Sequence, residues 1–528
     1  MQYKILPILL LATHFMMGQI EKAPLKKEGM GPYNRLIIRG VTMIDGTGSP
    51  PQGPVDIVVE NNKIIQIKTV GYPGVPIKEE SRPKAGKDDK ILDCTGQFLL
   101  PGFIDMHGHI GGKSQGTPAE YVFKLWMAHG ITTIREPYSG NGLEWTLDAK
   151  DKSAKNEITA PRIVPYVAFG MGAKEEINTV AQAINWVEEN AKNGASGIKF
   201  FGAKPEIMEA ALKRNKELGL RSMCHHAQLD VARWNVMNSA QAGLTTMEHW
   251  YGLPEAMFEN GTVQNYPSDY LYANEQNRFE EAGKLWKQAA KPYSEKWNKV
   301  MNDLIKLDFT LDPTLNIYDA NRDLMRARTA EWHEEYTLPK LWQFYQPSRI
   351  SHGSYWLNWG TEQEIQWKEN YRLWMTFVNE YKNRGGRVTA GSDNGFIFQT
   401  YGFGYIRELE LLQEAGFHPL EVIRAATLKG AEALGMEKEI GSVEVGKKAD
   451  FVILEENPLQ NLKVLYGTGA IKVTEANEVV RVGGVKYTVK DGIIYDAKKL
   501  LSEVKNIVAD AKKKENFELF QPGVKGGK

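Results

Sequence analysis

Short apolar runs typical of strands alternate with runs of helical spacing across the middle of the chain. Strands are indicated by β-branched and aromatic residues between turn signals, and helices by apolar positions that recur every three to four residues. The strand-like runs lie at 101–109, 131–135, 162–167, 197–201, 220–225, 244–249, 309–314 and 386–390. Helical runs lie between the first six of them, at 118–129, 176–193, 205–218 and 229–242. Eight strands alternating with helices over about 340 residues predict an α/β fold, a (β/α)8 TIM-like barrel over residues 99–436.

Strand-like runs also occur before and after the predicted barrel. They lie at 36–45, 56–67 and 441–454. Asn61 and Asn62 supply a turn signal within the second run. We therefore expect the two ends of the chain to build one small β-sandwich domain, composed of residues 33–98 and 437–500.

Two connections between the predicted barrel strands, 255–307 and 319–380, are too long for simple loops. Both are polar and aromatic, and the second contains six tryptophans. Because long elaborations of βα units usually lie at the catalytic mouth, these insertions are expected to shape a substrate pocket. The alternative is that their aromatic side chains only pack the insertions' own cores.

The first 18 residues differ in pattern from the rest. Lys4 precedes an apolar stretch, Ile5–Gly18, that is too short to span a bilayer. This pattern predicts a signal peptide over residues 1–18, cleaved before Gln19, and a secreted or periplasmic protein. Since no later apolar run reaches 18 residues, no membrane insertion is expected after signal removal. The alternative is a frayed apolar N-terminus.

Charge and cysteine content limit the partners and the disulfide bonds expected of this chain. The 65 basic and 65 acidic residues give a net charge of zero, so no nucleic-acid partner is expected. Cys94 and Cys224 are expected to be separate buried thiols, because a core of this size needs no disulfide. Pairing of the two remains the alternative for an exported protein. The expected partner is a small-molecule or peptide substrate, and a homo-oligomer is left open.

The strongest chemical signal is the run from Pro101 to His109, which ends in two histidines separated by one residue. Side chains alternate faces along a strand, so His107 and His109 point in the same direction. Two neutral imidazoles on a stiff backbone are typical ligands of a divalent metal. The alternative is a chance His-Gly-His sequence in a loop.

Further ligand-type residues end the later strands: Lys199 the fourth, His225 and His226 the fifth, His249 the sixth and Asp393 the eighth. In such barrels the chemistry lies at the carboxyl ends of the strands, so these side chains are expected to converge at one rim and bind one or two divalent cations. His225 and His226 cannot both face inward. One should ligate, and the other should pack against helices or contact substrate.

Lys199 and Asp393 have distinct expected roles. An ammonium cannot bind metal, but a lysine that faces cations is driven to the neutral amine, which reacts with CO2 to form a bridging carbamate. The alternative is a lysine at solvent or paired with a carboxylate. Asp393 is placed to bind a metal and take a proton from bound water, or else to form an Asx turn or helix cap.

Two residues near the rim are candidates for substrate binding. Arg135 ends the second strand, where its guanidinium could clamp a substrate carboxylate bidentately. The alternative is a structural ion pair with Glu136 or a helix acid. Tyr251 follows His249 closely and could donate to a developing oxyanion, or could simply pack at the rim.

Nine segments, taken together in order and spacing, resemble a known family. They are 99–109 (LLPGFIDMHGH), 130–135, 198–201, 226–227, 247–249, 312–315, 391–393, 426–435 and 440–450. Over about residues 36–490 the chain resembles the amidohydrolase superfamily, on the branch of imidazolonepropionases and prolidase-like Xaa-Pro dipeptidases.

The resemblance implies a (β/α)8 barrel with a split β-sandwich and a site of two metals. It implies one metal on His107, His109 and Asp393, with carbamylated Lys199 bridging to a second metal on His226 and His249. His226 is preferred over His225 because the family's ligand is followed by alanine, as in His226-Ala227. Zinc is the expected metal, and Mn, Fe or Co fit the same nitrogen and oxygen ligands.

The function expected from this resemblance is metal-assisted hydrolysis. The cations lower the pKa of bound water and polarise the carbonyl, the resulting hydroxide attacks, and Asp393 passes the proton to the leaving nitrogen. The expected enzyme is an exported hydrolase of an amide or peptide bond in a dipeptide, N-acyl amino acid or related amide.

Two other functions are weighed against this hydrolase. The first is a mononuclear cyclic-amide hydrolase or deaminase of the same superfamily. Such deaminases resemble one another in a Glu three residues after the fifth-strand His, where this chain has Gln228 or Leu229. The second is a non-enzymatic binding protein on the same fold, which predicts the loss of a ligand, and none is missing.

Overall fold

The computed structural model describes residues 19–261, 263–349, 354–356 and 358–519. The predicted signal peptide lies outside the described residues. The strands are β1 (Arg35–Met43), β2 (Gln52–Glu60), β3 (Lys63–Thr69), β4 (Lys90–Asp93), β5 (Phe98–Pro101), β6 (Phe103–Asp105), β7 (Ile131–Glu136), β8 (Arg162–Ala168), β9 (Gly197–Phe200), β10 (Arg221–Cys224), β11 (Thr246–Glu248), β12 (Thr310–Asp312), β13 (Arg387–Val388), β14 (Phe451–Leu454), β15 (Ala470–Val473), β16 (Val479–Val482), β17 (Val485–Lys490) and β18 (Ile493–Asp496).

The α-helices of the described residues follow the same order. They are α1 (Ala119–Ala128), α2 (Leu143–Ala154), α3 (Val180–Lys192), α4 (Pro205–Glu217), α5 (Val236–Ala242), α6 (Leu253–Ala256), α7 (Glu275–Ala282), α8 (Glu295–Lys306), α9 (Asp319–Arg322), α10 (Leu324–Arg328), α11 (His333–Tyr336), α12 (Pro339–Phe344), α13 (Thr361–Asn383), α14 (Phe403–Glu414), α15 (Pro419–Ala426), α16 (Leu428–Leu434) and α17 (Ala497–Glu515). Across the described ranges, none of these helices combines the length and the apolar character needed to cross a membrane.

Eight parallel strands, β6 to β13 in chain order, form the central sheet. Each strand-like run predicted between 99 and 436 overlaps one of them. The two edges of the sheet approach each other, because Met106 N donates to Ala390 O at 3.0 Å and Asp393 N donates to His107 O at 2.8 Å. The α/β fold is confirmed, and the curled parallel sheet is consistent with a TIM-like barrel.

Helix α2 is absent from the sequence prediction. Its buried positions are Trp145, Thr146, Ala149 and Ser153, which are mostly small or polar. A helix that buries such residues lacks the strong apolar stripe on which recognition of helical spacing depends.

A second sheet joins strands from both ends of the chain. Its order is β18-β17-β14-β5-β1-β2-β3, with β4 beside β1. The two halves meet where β14 pairs antiparallel with β5, with Leu99 opposite Ile453. The run predicted as a strand at 441–454 forms one only at Phe451–Leu454, because Gly441 and Gly446 turn the backbone at φ of 95° each. The division of this domain into two facing layers stays a prediction.

The long insertions are helical and pack largely through their own aromatic residues. In α8, Trp297, Val300, Met301 and Leu304 recur at helical spacing and are buried. Trp286 and Trp297 lie with ring centroids 6.0 Å apart, and many of the other insertion tryptophans are also buried. These tryptophans therefore act mainly as core residues of the insertions.

The two cysteines are separate and buried, as predicted. Burial raises the pKa of the Cys94 thiol to about 12, so this thiol stays protonated at neutral pH. Neither cysteine forms a disulfide bond that would stabilise the fold.

Candidate metal centre

Three of the histidines expected at strand ends, His107, His109 and His249, lie around the carboxylate of Asp393. His109 Nε2 lies 3.3 Å from Asp393 Oδ1, and His107 Nε2 lies 3.6 Å from the same oxygen. His249 Nε2 lies 3.6 Å from Asp393 Oδ2. Ligand atoms of His107, His249 and Asp393 all lie within 4.8 Å of one another. Four side chains separated by up to 286 residues in sequence thus form one cluster, because the carboxyl ends of the strands share a rim.

A second partner orients each of these three rings from the other side. The contacts to Nδ1 are Glu248 Oε2 for His107 at 2.7 Å, Glu136 Oε1 for His109 at 3.5 Å, and Thr314 Oγ1 for His249. Thr314 donates its own hydroxyl proton to Pro313 O at 2.7 Å, so it accepts from His249. His107 and His249 can each donate from Nδ1 and so present the lone pair of Nε2 on the opposite side, which is the usual arrangement of a metal-ligating histidine, whereas His109 Nδ1 is at ion-pair distance from Glu136.

The charges of the cluster follow from burial and from these contacts. Burial alone would raise the pKa of Asp393, but the neighbouring His107 and His109 hold it well below its usual range. Burial lowers the pKa of His107 well below the ordinary value, and the nearby Lys199 lowers it further. His107 is therefore neutral and Asp393 is ionised, as metal ligands must be. Burial lowers the pKa of His109, but Asp393 and Glu136 beside its ring raise it to about 9, so a metal bound there would displace a proton from His109.

Lys199 extends from β9 into the same cluster. Its Nζ lies 3.2 Å from His107 Nε2, and only 2% of the residue is exposed. Burial lowers the pKa of the Lys199 amine, although Glu248 and Asp393 act in the opposite direction. The alternative of a lysine that reaches solvent is excluded by this burial.

The structure places His225, and not His226, beside the other histidines. The His225 ring centroid lies 4.7 Å from that of His249 and 6.0 Å from that of Phe201. The His226 ring turns to the opposite side, where its Nε2 lies 2.9 Å from the hydroxyl of Ser239 on α5. The sequence-based preference for His226 is therefore corrected to His225, because the two neighbours face opposite sides as strand alternation requires.

Arg135 is unavailable to substrate. It is fully buried, and its Nη2 lies 2.8 Å from Glu248 and 3.3 Å from Asp312. Its Nε also donates to Met106 O at 2.6 Å. The expected carboxylate clamp is wrong. Arg135 instead contacts two acids in the barrel interior and supports Glu248, the partner of His107.

Tyr251 lies close to the cluster, but its hydroxyl is directed elsewhere. Its ring centroid is 5.2 Å from that of His225, and the residue is fully buried. The hydroxyl donates to the Tyr318 hydroxyl at 3.0 Å. This contact corrects the oxyanion role expected for Tyr251 and favours the alternative of a packed aromatic residue.

Three residues at this rim adopt left-handed backbone conformations without being glycine. The φ angles are 58° for His249, 48° for Asp393 and 47° for Thr314. Such conformations cost on the order of 1–3 kcal/mol each, and the threonine is β-branched, which makes its φ especially unusual. Their concentration at one cluster indicates that the positions of these side chains are maintained against local strain.

Aromatic side chains pack around His109 at one side of the cluster. The Tyr138 and Phe396 rings lie 5.4 Å and 5.8 Å from the His109 ring, and Phe201 lies 5.7 Å from Tyr138. Phe201 is 36% exposed, although it adjoins buried His225. An exposed phenylalanine beside buried polar ligands is typical of a binding site for an apolar group.

Sequence reasoning missed the residues that support the histidines: Glu136, Glu248, Asp312 and Thr314. The adjacency of Glu248 to His249 was visible, but an acid in a strand has no obvious partner before the strands are arranged in space. Glu248 holds His107, which lies 141 residues away along the chain. Its role therefore depends on the tertiary structure.

Comparisons with known proteins agree on one family. The Amidohydrolase family profile matches residues 375–494. A 5'-deoxyadenosine deaminase from Methanobrevibacter smithii is 34% identical over an alignment of 471 residues, which covers 84% of this chain and 89% of the deaminase.

Two solved structures share the fold. A Xaa-Pro dipeptidase with methionine bound in its active site has a TM-score of 0.57 and 18% identity, covering 88% of this chain and 100% of that one. An ochratoxinase from A. niger has a TM-score of 0.55 and 15% identity, covering 88% of this chain and 96% of that one. At these identities the two structures support the fold alone.

Proposed function

Since this chain belongs to the amidohydrolase superfamily and is a hydrolase acting on carbon–nitrogen bonds, we propose that it is an exported metal-dependent hydrolase of amide or peptide bonds in small substrates. The observation that carries the proposal is the convergence of three imidazole Nε2 atoms on the Asp393 carboxylate, with Lys199 beside them. Export is supported by the apolar pattern of residues 5–18.

The donor set fits divalent cations. Buried imidazoles beside one ionised carboxylate are ligands that zinc and related metals prefer, once each imidazole has lost its second proton. His107, His109 and Asp393 would hold one cation, and His225 and His249 would hold a second. A carbamate on Lys199 would bridge the two, which the position of Nζ close to His107 supports.

The cations would supply Lewis-acid chemistry, lowering the pKa of water and polarising the scissile carbonyl. The remaining chemistry belongs to the chain. A carboxylate oxygen of Asp393 accepts the proton of the attacking water and returns it to the leaving nitrogen. Glu248, Glu136 and Thr314 hold the rings in the required orientation.

The aromatic residues around His109 support an apolar group in the substrate. Tyr138 and Phe396 pack against the His109 ring and Phe201 packs against Tyr138, so a substrate whose scissile bond reaches Asp393 would place its side chain near these rings. Burial of such a side chain contributes about 25 cal/mol per Å² of apolar surface. We therefore expect dipeptides and N-acyl amino acids with large apolar side chains to be better substrates than small polar ones.

Deaminase activity is the second candidate, and the 34% identical 5'-deoxyadenosine deaminase favours it. The site of this chain carries two features against it. At the position three residues after His225 stands Gln228, whose Oε1 accepts from Arg278 Nε at 2.8 Å, and no carboxylate replaces it there. The second feature is the buried Lys199 beside His107, where an amine can carry the carbamate proposed for the hydrolase.

A substrate panel separates the two candidates. Purified protein loaded with zinc or manganese would be incubated with apolar dipeptides, N-acyl amino acids and adenine nucleosides, with amine or ammonia release as the readout. Hydrolysis of the peptides or N-acyl amino acids that stops on addition of a chelator is the expected result. Ammonia release from nucleosides alone would overturn the proposed function.

The two adjacent histidines provide a matched pair of variants. We expect His225→Asn to lower the metal content per chain and the hydrolytic rate, because it removes a ring that lies 4.7 Å from His249. His226→Asn should keep the metal content, because His226 faces Ser239 on α5. Elemental analysis and kcat measured on both variants check the assignment, and the reverse pattern would restore His226 as the ligand.

A further inference from the structure

A cavity of about 780 Å³ lies at the end of the barrel opposite the histidine cluster. It is bounded by the amino-terminal ends of β8 and β10, where Arg162 and Arg221 are the first residues. The turn at Asn61 and Asn62 of the second sheet bounds the other side. Volumes of about 300–1,000 Å³ are typical of sites for small molecules, and clefts between domains are frequent locations.

The two arginines of this cavity differ in their contacts. Both terminal nitrogens of Arg162 are paired with carboxylates. Nη1 donates to Asp450 at 2.7 Å, and Nη2 donates to Asp491 at 2.8 Å. Within the described ranges, Arg221 forms no hydrogen bond or ion pair through its guanidinium. It lies beside the end of α16, close to Gly435. The partial negative charge of a helix end cannot satisfy the five N–H donors of a guanidinium.

The rest of the lining determines which ligand would fit. Leu434 and Met436 provide an apolar wall, and Tyr166 provides an aromatic one. Lys150 adds a second positive charge without an ion pair in the described part of the chain. Positive charge beside apolar surface is complementary to a molecule that carries an anionic group on an apolar body, and a guanidinium binds a carboxylate bidentately.

We propose that this cavity is a second ligand site, in which Arg221 binds the carboxylate of a small organic acid whose apolar body packs against Leu434 and Met436. The site is separate from the proposed metal centre, since Arg221 begins β10 and His225 follows the opposite end of that strand. Ligand binding at this cavity therefore does not depend on the proposed hydrolysis.

The test uses 2-naphthoate as the probe and its neutral amide, 2-naphthamide, as the matched ligand. Binding to the full-length, metal-loaded protein would be measured by calorimetry. We expect one saturable site for naphthoate and at least about tenfold weaker binding of the amide, because the amide lacks the charge that strengthens hydrogen bonds to a guanidinium.

Two variants and one control locate the site. Arg221→Gln should weaken naphthoate binding about tenfold or more. Met436→Trp should also weaken naphthoate binding, because the larger side chain fills the cavity. This second variant tests the site even if Arg221→Gln fails to fold. Arg214→Gln, on the exposed face of α4, should leave binding unchanged. The proposal is overturned if naphthoate does not bind saturably, or if it binds the folded variants as tightly as the parent protein.

Discussion

Replacing Asp393 by asparagine should reduce kcat by about 10²–10⁴-fold, the usual contribution of a positioned proton carrier. Asparagine keeps the size of the side chain and the backbone hydrogen bond from Asp393 N to His107 O. It also tolerates the left-handed conformation at φ of 48°, so the variant should fold. The specific loss is a carboxylate that can accept a proton and hold a cation.

The experiment measures kcat and KM on the best substrate of the panel, with unfolding in urea as the check of the fold. Asp269→Asn, which changes an exposed carboxylate in the first insertion, serves as the matched control and should retain the parent rate. A kcat of the Asp393 variant within tenfold of the parent value would remove Asp393 from the proton transfer.

Replacing Lys199 by methionine should lower the metal content from about two ions per chain to one or none. Methionine has a similar length and fills the same buried space beside Phe201, but it has no nitrogen to carry a carbamate. The hydrolytic rate should fall by more than about 100-fold. Loss of a residue that only supports a metal ligand typically costs up to about 100-fold, and Lys199 is proposed to bind the cations itself. Elemental analysis and kcat/KM are the primary measurements.

Carbon-13 NMR would detect the proposed carbamate directly. Parent protein equilibrated with ¹³C-bicarbonate should show a carbamate carbon resonance that is absent from Lys199→Met. The control is Lys204→Met, four residues beyond β9 and exposed, which should keep both the signal and the metal. Two ions per chain in Lys199→Met would show that the lysine does not bridge.

The barrel strands and the types of ligand could be read from the sequence because each signal is local. A β-branched run between turn residues is contained in about ten positions, and the spacing of His107 and His109 is contained in three. The expectation that Lys199, His249 and Asp393 converge required only that they end parallel strands of one sheet. The structure brings all of these side chains together.

The errors concern residues whose role depends on contacts far away in the chain. Arg135 stands at a strand end, as a substrate clamp would, yet its partners Glu248 and Asp312 lie 113 and 177 residues away. Its function as an interior ion pair is visible only after β7, β11 and β12 are placed around the barrel.

The sequence by itself determined the order of strands, the family and the set of candidate ligands, since these depend on local spacing and on residue chemistry. Only the tertiary structure decided which of His225 and His226 faces His249. It also decided which acids hold the imidazole rings and that Arg221 lacks a partner within the described residues. The physical reason is that side-chain direction and ion pairing are set by packing between elements, and the residues in contact there are far apart along the chain.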